Sequence, residues 1–485
     1  MYIKNRTNYI SVLCIAFVVT LFFSATTQAQ TDKAEAYLSK NLNSWTKEQK
    51  IYALSKFWME AKYNFIYMDK IGHAQWDSLY QALIPQALAT RNDMEFTTLM
   101  KRFCSFLKDG HTELWITKGF PFTTTYFSDG WSLELKMVDG KVIVCGVNED
   151  KSNLIPLFSE VKEVDGMSID EALEKKSQEC FGSTKQVRLH QAARSLLSGS
   201  IYTPHNVTFI TPKGKTYNVT LYNEYRREYK NMVIKSAPEK ENKAFDLVWY
   251  PGDVAYLRIG TFMQKRGVEE GLANNFPDMQ KRAKKLIIDL RQNSGGNSSF
   301  AVNILSMFIP DSIISDGKWR TRVHNAAYAS WGANLEPQDT IGNESLSDYY
   351  ENYLNIAKTP YSSDMNKTNK EMPRLIVPTL ILTDYATNSS CENFLVAADG
   401  QPHIKRMGEI TSGSTGNPMK INLIEGLQCQ ICSKEDVFPD GRIFVGEGIK
   451  PDYEVHQTLQ DYMKGYDTVL DAALKHFDSK MKKMK

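Results

Sequence analysis

The chain predicts an α/β fold: a layered core in its C-terminal half, preceded by a helical unit and a β-rich unit. Three observations carry this. Apolar runs at 253–259, 286–290 and 375–382 read as buried strands with helical patterns between them, and alternating β and α argues an α/β layer. Residues 33–108 instead show apolar positions at helical spacing, as at Leu79, Leu83, Ile84 and Leu88. Residues 120–235 change texture to short strands and turns.

The 485 residues suffice for two or three domains, and the hydrophobic and charged fractions are those of a globular protein. Net charge is +2 with no basic block, which argues against nucleic acid as a partner. At the N-terminus Lys4 and Arg6 precede an apolar stretch at 10–23, and Thr27-Gln28-Ala29 fits a signal-peptidase site. The stretch is too short to span a bilayer, so 1–29 reads as a signal peptide and the mature protein as secreted or periplasmic, not membrane-spanning. Leu13 before Cys14 argues against a lipoprotein site. After cleavage Cys104, Cys145, Cys180, Cys391, Cys429 and Cys432 remain. Cys429 and Cys432 have a redox or zinc spacing, but no second Cys or His pair lies nearby, so a local disulfide or two free thiols is expected rather than a metal site.

The helical unit, assigned to 33–115, ends at the turn Lys108-Asp109-Gly110. The β-rich unit spans 120–235. Within it 141–147 reads as a strand, and 207–210 and 217–221 as a hairpin. Residues 161–169 followed by a short helix at 170–175 resemble the strand, turn and helix of PDZ domains, which bind peptide C-termini by adding a strand to a sheet edge. Residues 236–243 read as a linker, and the core is assigned to 243–475. Within the core, 311–371 is long, polar and aromatic and reads as an exposed excursion.

Chemistry concentrates in three short segments. Thr387-Asn388-Ser389-Ser390-Cys391-Glu392 follows an apolar strand and opens a helix. A serine there has its hydroxyl lifted off the sheet, beside the free N–H groups of a helix N-terminus. One such serine alone is more often a helix cap. Glu392 raises the pKa of the neighbouring Cys391, so Ser389 is the preferred nucleophile. Leu286 to Gly296 runs a strand into Gly295-Gly296, where glycines permit close backbone approach and offer N–H donors. Asp109-Gly110-His111-Thr112 places a histidine at a turn, and imidazole is suited to accept a serine proton near neutral pH. The other seven of the eight histidines have no comparable context.

Together the segments resemble the tail-specific (C-terminal processing) and tricorn-like serine peptidases. So does the run Gly446-Glu447-Gly448-Ile449-Lys450-Pro451-Asp452, which resembles the closing G-x-G-[IV]-x-P-D of that family. The resemblance spans most of 50–460. It implies a ClpP/crotonase-like core of ββα units and hydrolysis of protein or peptide substrates, engaged through a C-terminal segment, without cofactor or metal. It implies Ser389 as nucleophile and an oxyanion hole from the N–H groups of Gly295 or Gly296 and of Ser390. The bacterial processing peptidases carry a lysine base in a G-E-x-T-x-G-K run; here that run is Gly408-Glu409-Ile410-Thr411-Ser412-Gly413-Ser414, with Ser414 in the lysine position. The tricorn-like members use a histidine instead, which points to His111, although Gly110 stands where they carry a serine. Glu447 or Asp109 is the expected acidic partner. Loss of the lysine also leaves open a non-enzymatic relative that binds apolar ligands or peptides, or a peptide-binding scaffold.

Overall fold

The computed structural model describes residues 44–117, 133–199, 204–223, 234–237, 243–311, 313–367 and 373–483. The expected signal peptide lies outside them. Among the described residues no helix is long and apolar enough to cross a membrane.

Three long helices lead the described residues, α1 (Lys47–Asn64), α2 (His73–Ala89) and α3 (Asp93–Ser105), with a single helical turn at Met68–Ile71 between the first two. Thr46 and Gln49 form a capping box on α1, and Asn92 caps α3. Phe57, Trp76 and Phe103 pack their rings at the centre of the unit, Trp76 stacked on Phe103 at 4.3 Å. The strand Glu113–Ile116 then pairs with Leu427–Ile431, and Trp45 Nε1 donates to the Glu425 carbonyl at 2.9 Å. The helical unit is thus stitched to the C-terminal half, with His111 at the seam.

A seven-stranded antiparallel sheet follows, built from Leu133–Val138, Lys141–Asn148, Glu160–Val164, Pro204–Ile210 and Thr216–Tyr222, with Met167–Ser168 and Ile234–Ser236 beside them. Two of its turns are Asp-Gly pairs with both φ values positive, Asp139-Gly140 and Asp165-Gly166, as the type I′ turn of two-residue hairpins requires. The helices Ile169–Ser177 and Lys185–Ser195 cover this sheet.

The core sheet contains β1 (Phe245–Tyr250), β2 (Val254–Ile259), β3 (Lys285–Asp289), β4 (Thr379–Thr383), β5 (Ile404–Gly408) and β6 (Tyr453–Glu454). Their order is β6-β5-β4-β3-β2-β1; all neighbours are parallel except β1 on β2. Side chains alternate between two cores, as the two-residue period demands. Leu257, Ile288 and Ile381 face one layer with α4 (Val268–Arg282), α5 (Ser298–Leu305) and α6 (Ser390–Ala397). Tyr256, Ile287 and Leu382 face α7 (Thr468–Lys483) through Val469, Leu470, Ala473 and Phe477. Strand β4 begins later than the apolar run suggests because Pro378 has no N–H to donate; its carbonyl still accepts from Leu286.

The excursion at 311–371 is more ordered than expected. The strand Ile313–Thr321 pairs with Ser362–Lys367 and with Lys434–Val437. The helices Ala326–Gly332 and Glu344–Tyr353 pack together through Tyr328, Trp331 and Tyr349, with Trp331 still exposed. All six described cysteines are free thiols.

One buried ion network ties α7 to the sheet. Arg291 donates to both oxygens of Asp467 at 2.8 Å and to Asp289 at 2.7 Å, and Tyr256 also donates to Asp289 at 2.7 Å. Burial alone raises the Asp289 carboxyl, but Arg291, Arg258 and Tyr256 outweigh it and hold it below its ordinary value. Arg291→Leu removes the main partner of the buried Asp289 carboxylate, leaving Arg258 and Tyr256, and is expected to cost about 3–5 kcal/mol in denaturant unfolding. The exposed control Arg442→Leu should cost about 1 kcal/mol or less.

Candidate active site

The carboxyl ends of β3, β4 and β5 converge, the edge at which parallel sheets carry their ligands. Residues 290–296 leave β3, 384–389 leave β4, and 409–414 leave β5. The β3 and β4 turns meet in backbone contact. A Cβ on Gly295 would lie 2.7 Å from the Ser389 Cβ, so only glycine permits this approach. Asn293, fully buried, cross-links the turns. Its side chain donates to the Ile259 carbonyl and accepts from Gly295 N–H, both at 2.9 Å, while its carbonyl accepts from Asn388 N–H at 3.1 Å.

Ser389 stands at the N-terminus of α6 with φ 58° and ψ −122°. This conformation is unusual for a residue with a side chain and costs roughly 1–3 kcal/mol. Its hydroxyl does not cap the helix. Instead it lies 3.1 Å from His111 Nε2, although the residues are 278 apart in sequence. The other ring nitrogen, Nδ1, lies 2.7 Å from the Ser414 hydroxyl. The imidazole is therefore clamped between two serines. For Nε2 to accept the Ser389 proton, Nδ1 must carry the ring hydrogen and Ser414 Oγ must accept it.

His111 is almost fully buried, and burial with the nearby Lys434 charge pushes its pKa down to about 4. The ring is neutral at pH 7. Cys391 is fully buried; its thiol donates to the Asn293 carbonyl, and burial holds its pKa well above the ordinary value.

Two expected acids do not reach the ring. Glu447 is exposed on the tight turn after Phe444, where its N–H bonds the Phe444 carbonyl. Asp109 is buried and accepts from the backbone N–H of His111 and from the Thr112 hydroxyl, each at 3.1 Å, so it shapes the turn rather than the imidazole. The buried acid nearest Ser389 in sequence is Glu392, whose own N–H bonds the Ser389 carbonyl at 2.8 Å. Its carboxylate accepts from Gly413 N–H and Ser414 N–H, each at 2.8 Å, and from the Thr411 hydroxyl. Burial pushes its pKa up to about 7.

Of the expected backbone donors, Gly295 N–H is already held by Asn293. Gly296 N–H and Ser390 N–H make no hydrogen bond among the described residues, and Gly296 is solvent-exposed with its Cα against the Phe262–Met263 backbone. No group of three or more His, Cys, Asp or Glu side chains among the described residues is arranged to hold a metal ion. Sequence reasoning missed Asn293, Glu392 and the contact of Ser414 with His111. Only Ser414 left a signal, as the departure from lysine.

A mostly parallel sheet whose carboxyl edge presents a strained serine against a neutral histidine is compatible with a serine hydrolase. Residues 253–455 match the model of peptidase family S41, and this match supports a serine-type peptidase of the tail-specific and tricorn-like kind. No curated protein matches the sequence. Among solved structures, mature CPAF complexed with lactacystin aligns over 86% of this chain and 96% of its own, at 13% identity and a TM-score of 0.61. Mature CPAF alone aligns over 87% and 95%, at 14% identity and the same TM-score of 0.61. The photosystem II D1 C-terminal processing protease covers 87% of this chain and 99% of its own, at 15% identity and a TM-score of 0.41.

The electrostatics give a test independent of turnover. His111 should titrate near pH 4 in a histidine NMR titration, well below the ordinary value of about 6.5, while exposed His456 titrates above its ordinary value. A His111 midpoint between 6 and 7 would contradict the buried, hydroxyl-clamped ring.

Proposed function

We propose that the protein is an exported serine peptidase that hydrolyses peptide bonds of protein or peptide substrates, with Ser389 as nucleophile and His111 as base. The observation that carries this reading is the 3.1 Å approach of His111 Nε2 to Ser389 Oγ at a helix N-terminus. As the Ser389 oxygen bonds to the scissile carbonyl carbon, its proton passes to Nε2. The carbonyl π electrons move onto oxygen, which the N–H groups of Gly296 and Ser390 receive. Collapse of the intermediate breaks the C–N bond, and Nε2 returns the proton to the leaving amine. Water then repeats the cycle on the acyl-enzyme. Gly295 contributes the close approach rather than the donor.

Export rests on the signal-peptide pattern at 1–29. The core is read as ClpP/crotonase-like ββα units, from the βα alternation and the parallel sheet. The unit at 120–235 is read as PDZ-like. In support, its edge strand Leu133–Val138 lies against the helix Lys185–Ser195, an arrangement in which an extended substrate terminus can add as a further strand.

A fluorophosphonate probe, which labels only an activated serine, tests the assignment. Ser389→Ala and His111→Ala should each abolish labelling. Lys405→Ala and Lys420→Ala should label as wild type, since Lys405 lies beside Asp452 on β5 and Lys420 is exposed. Persistent labelling of Ser389→Ala, or its loss in either lysine variant with His111→Ala still reactive, would overturn the reading.

A further inference from the structure

The side chains at positions 110 and 414 compete for one space. A Cβ built on Gly110 would lie 2.6 Å from Ser414 Oγ and 3.0 Å from Ser414 Cβ. The next nearest atom, Ser183 N, is 3.6 Å away, an ordinary contact. Gly110 is not among the glycines with positive φ, so its backbone does not bar a side chain. Ser414 alone does.

We infer that positions 110 and 414 share a single hydroxyl slot on the Nδ1 side of His111, and that Ser414 fills it as the positioning residue of the imidazole. This rests on the reading of His111 as base. Ser414 is fully buried, and its Oγ meets Nδ1 at 2.7 Å. Its backbone is fixed on both sides: its N–H donates to Glu392 at 2.8 Å, and its carbonyl accepts the N–H of Ser389 at 3.0 Å. One short loop therefore carries the hydroxyl that orients the ring and the carbonyl that holds the nucleophile's backbone. Where a carboxylate permits only one imidazole tautomer, a hydroxyl accepts or donates and fixes chiefly the ring's plane. The slot can then be served from either neighbouring backbone, provided only one of the two positions bears a side chain.

The slot hypothesis predicts reciprocal rescue. With the fluorophosphonate probe, Ser414→Ala should lower the maximal inactivation rate on the order of 100-fold with little change in apparent probe affinity, as expected when a reacting group loses its alignment. Ser414→Gly should behave alike. Gly110→Ser alone should also be slow, because its Cβ meets the Ser414 hydroxyl. The double variant Gly110→Ser/Ser414→Gly should recover at least tenfold over Ser414→Gly. A thermal melt of each variant establishes that it is folded, and the conservative Ser414→Ala keeps the test decisive if a glycine variant is not. Wild-type rates in folded Ser414→Ala, or a folded double variant no faster than the slower single, would overturn the inference. Failure of Ser389→Ala to abolish labelling would instead strike the functional reading, so the two failures are distinguishable.

Discussion

Everything at the site depends on three strand ends reaching the same few ångströms. The turns after β3 and β4 touch because Gly295 has no side chain to separate them, and Asn293 ties them together. The turn after β5 is bound to the first turn of α6 by the Glu392 carboxylate. His111 enters from outside this sheet, two residues before the strand Glu113–Ile116 that pairs with Leu427–Ile431. The site geometry is thus a property of tertiary packing, and Ser389 and His111 meet only once the helical unit has docked.

Burial sets the electrostatics. The imidazole is kept neutral, which suits a base that must be unprotonated before it acts. Glu392 is subject to opposing effects: burial raises its carboxyl, while three donated hydrogen bonds favour the ionised form. It acts on the site through backbone N–H groups and has no described bond to the ring. A hydroxyl and not a carboxylate faces Nδ1, so an imidazolium at this position would gain orientation there rather than a full opposing charge.

Much of this was legible in the sequence, for local reasons. An apolar strand, a small-residue turn and a helix start announce where Ser389 stands, and Lys108-Asp109-Gly110 announces a turn before His111. The apolar runs at 286–290 and 375–382 and the hairpin at 207–210 and 217–221 announce strands in the same way. What was not legible concerns direction. That Gly295 N–H points at Asn293 and leaves Gly296 free depends on backbone orientation, which residue types do not encode. The partnership of Ser414 with His111 spans 303 positions, and the sequence marked it only as a missing lysine. Glu447 lies on the solvent side of its turn, with no bond to the ring among the described residues.

The most direct test of the account is a crystal structure of the protein after reaction with a fluorophosphonate. The account predicts phosphorus bonded to Ser389 Oγ and a phosphoryl oxygen within about 2.7–3.1 Å of both Gly296 N and Ser390 N. His111 should remain between Ser389 and Ser414, and Gly295 N–H should still be held by Asn293. An adduct on another residue, or a phosphoryl oxygen turned to solvent away from those two N–H groups, would contradict it.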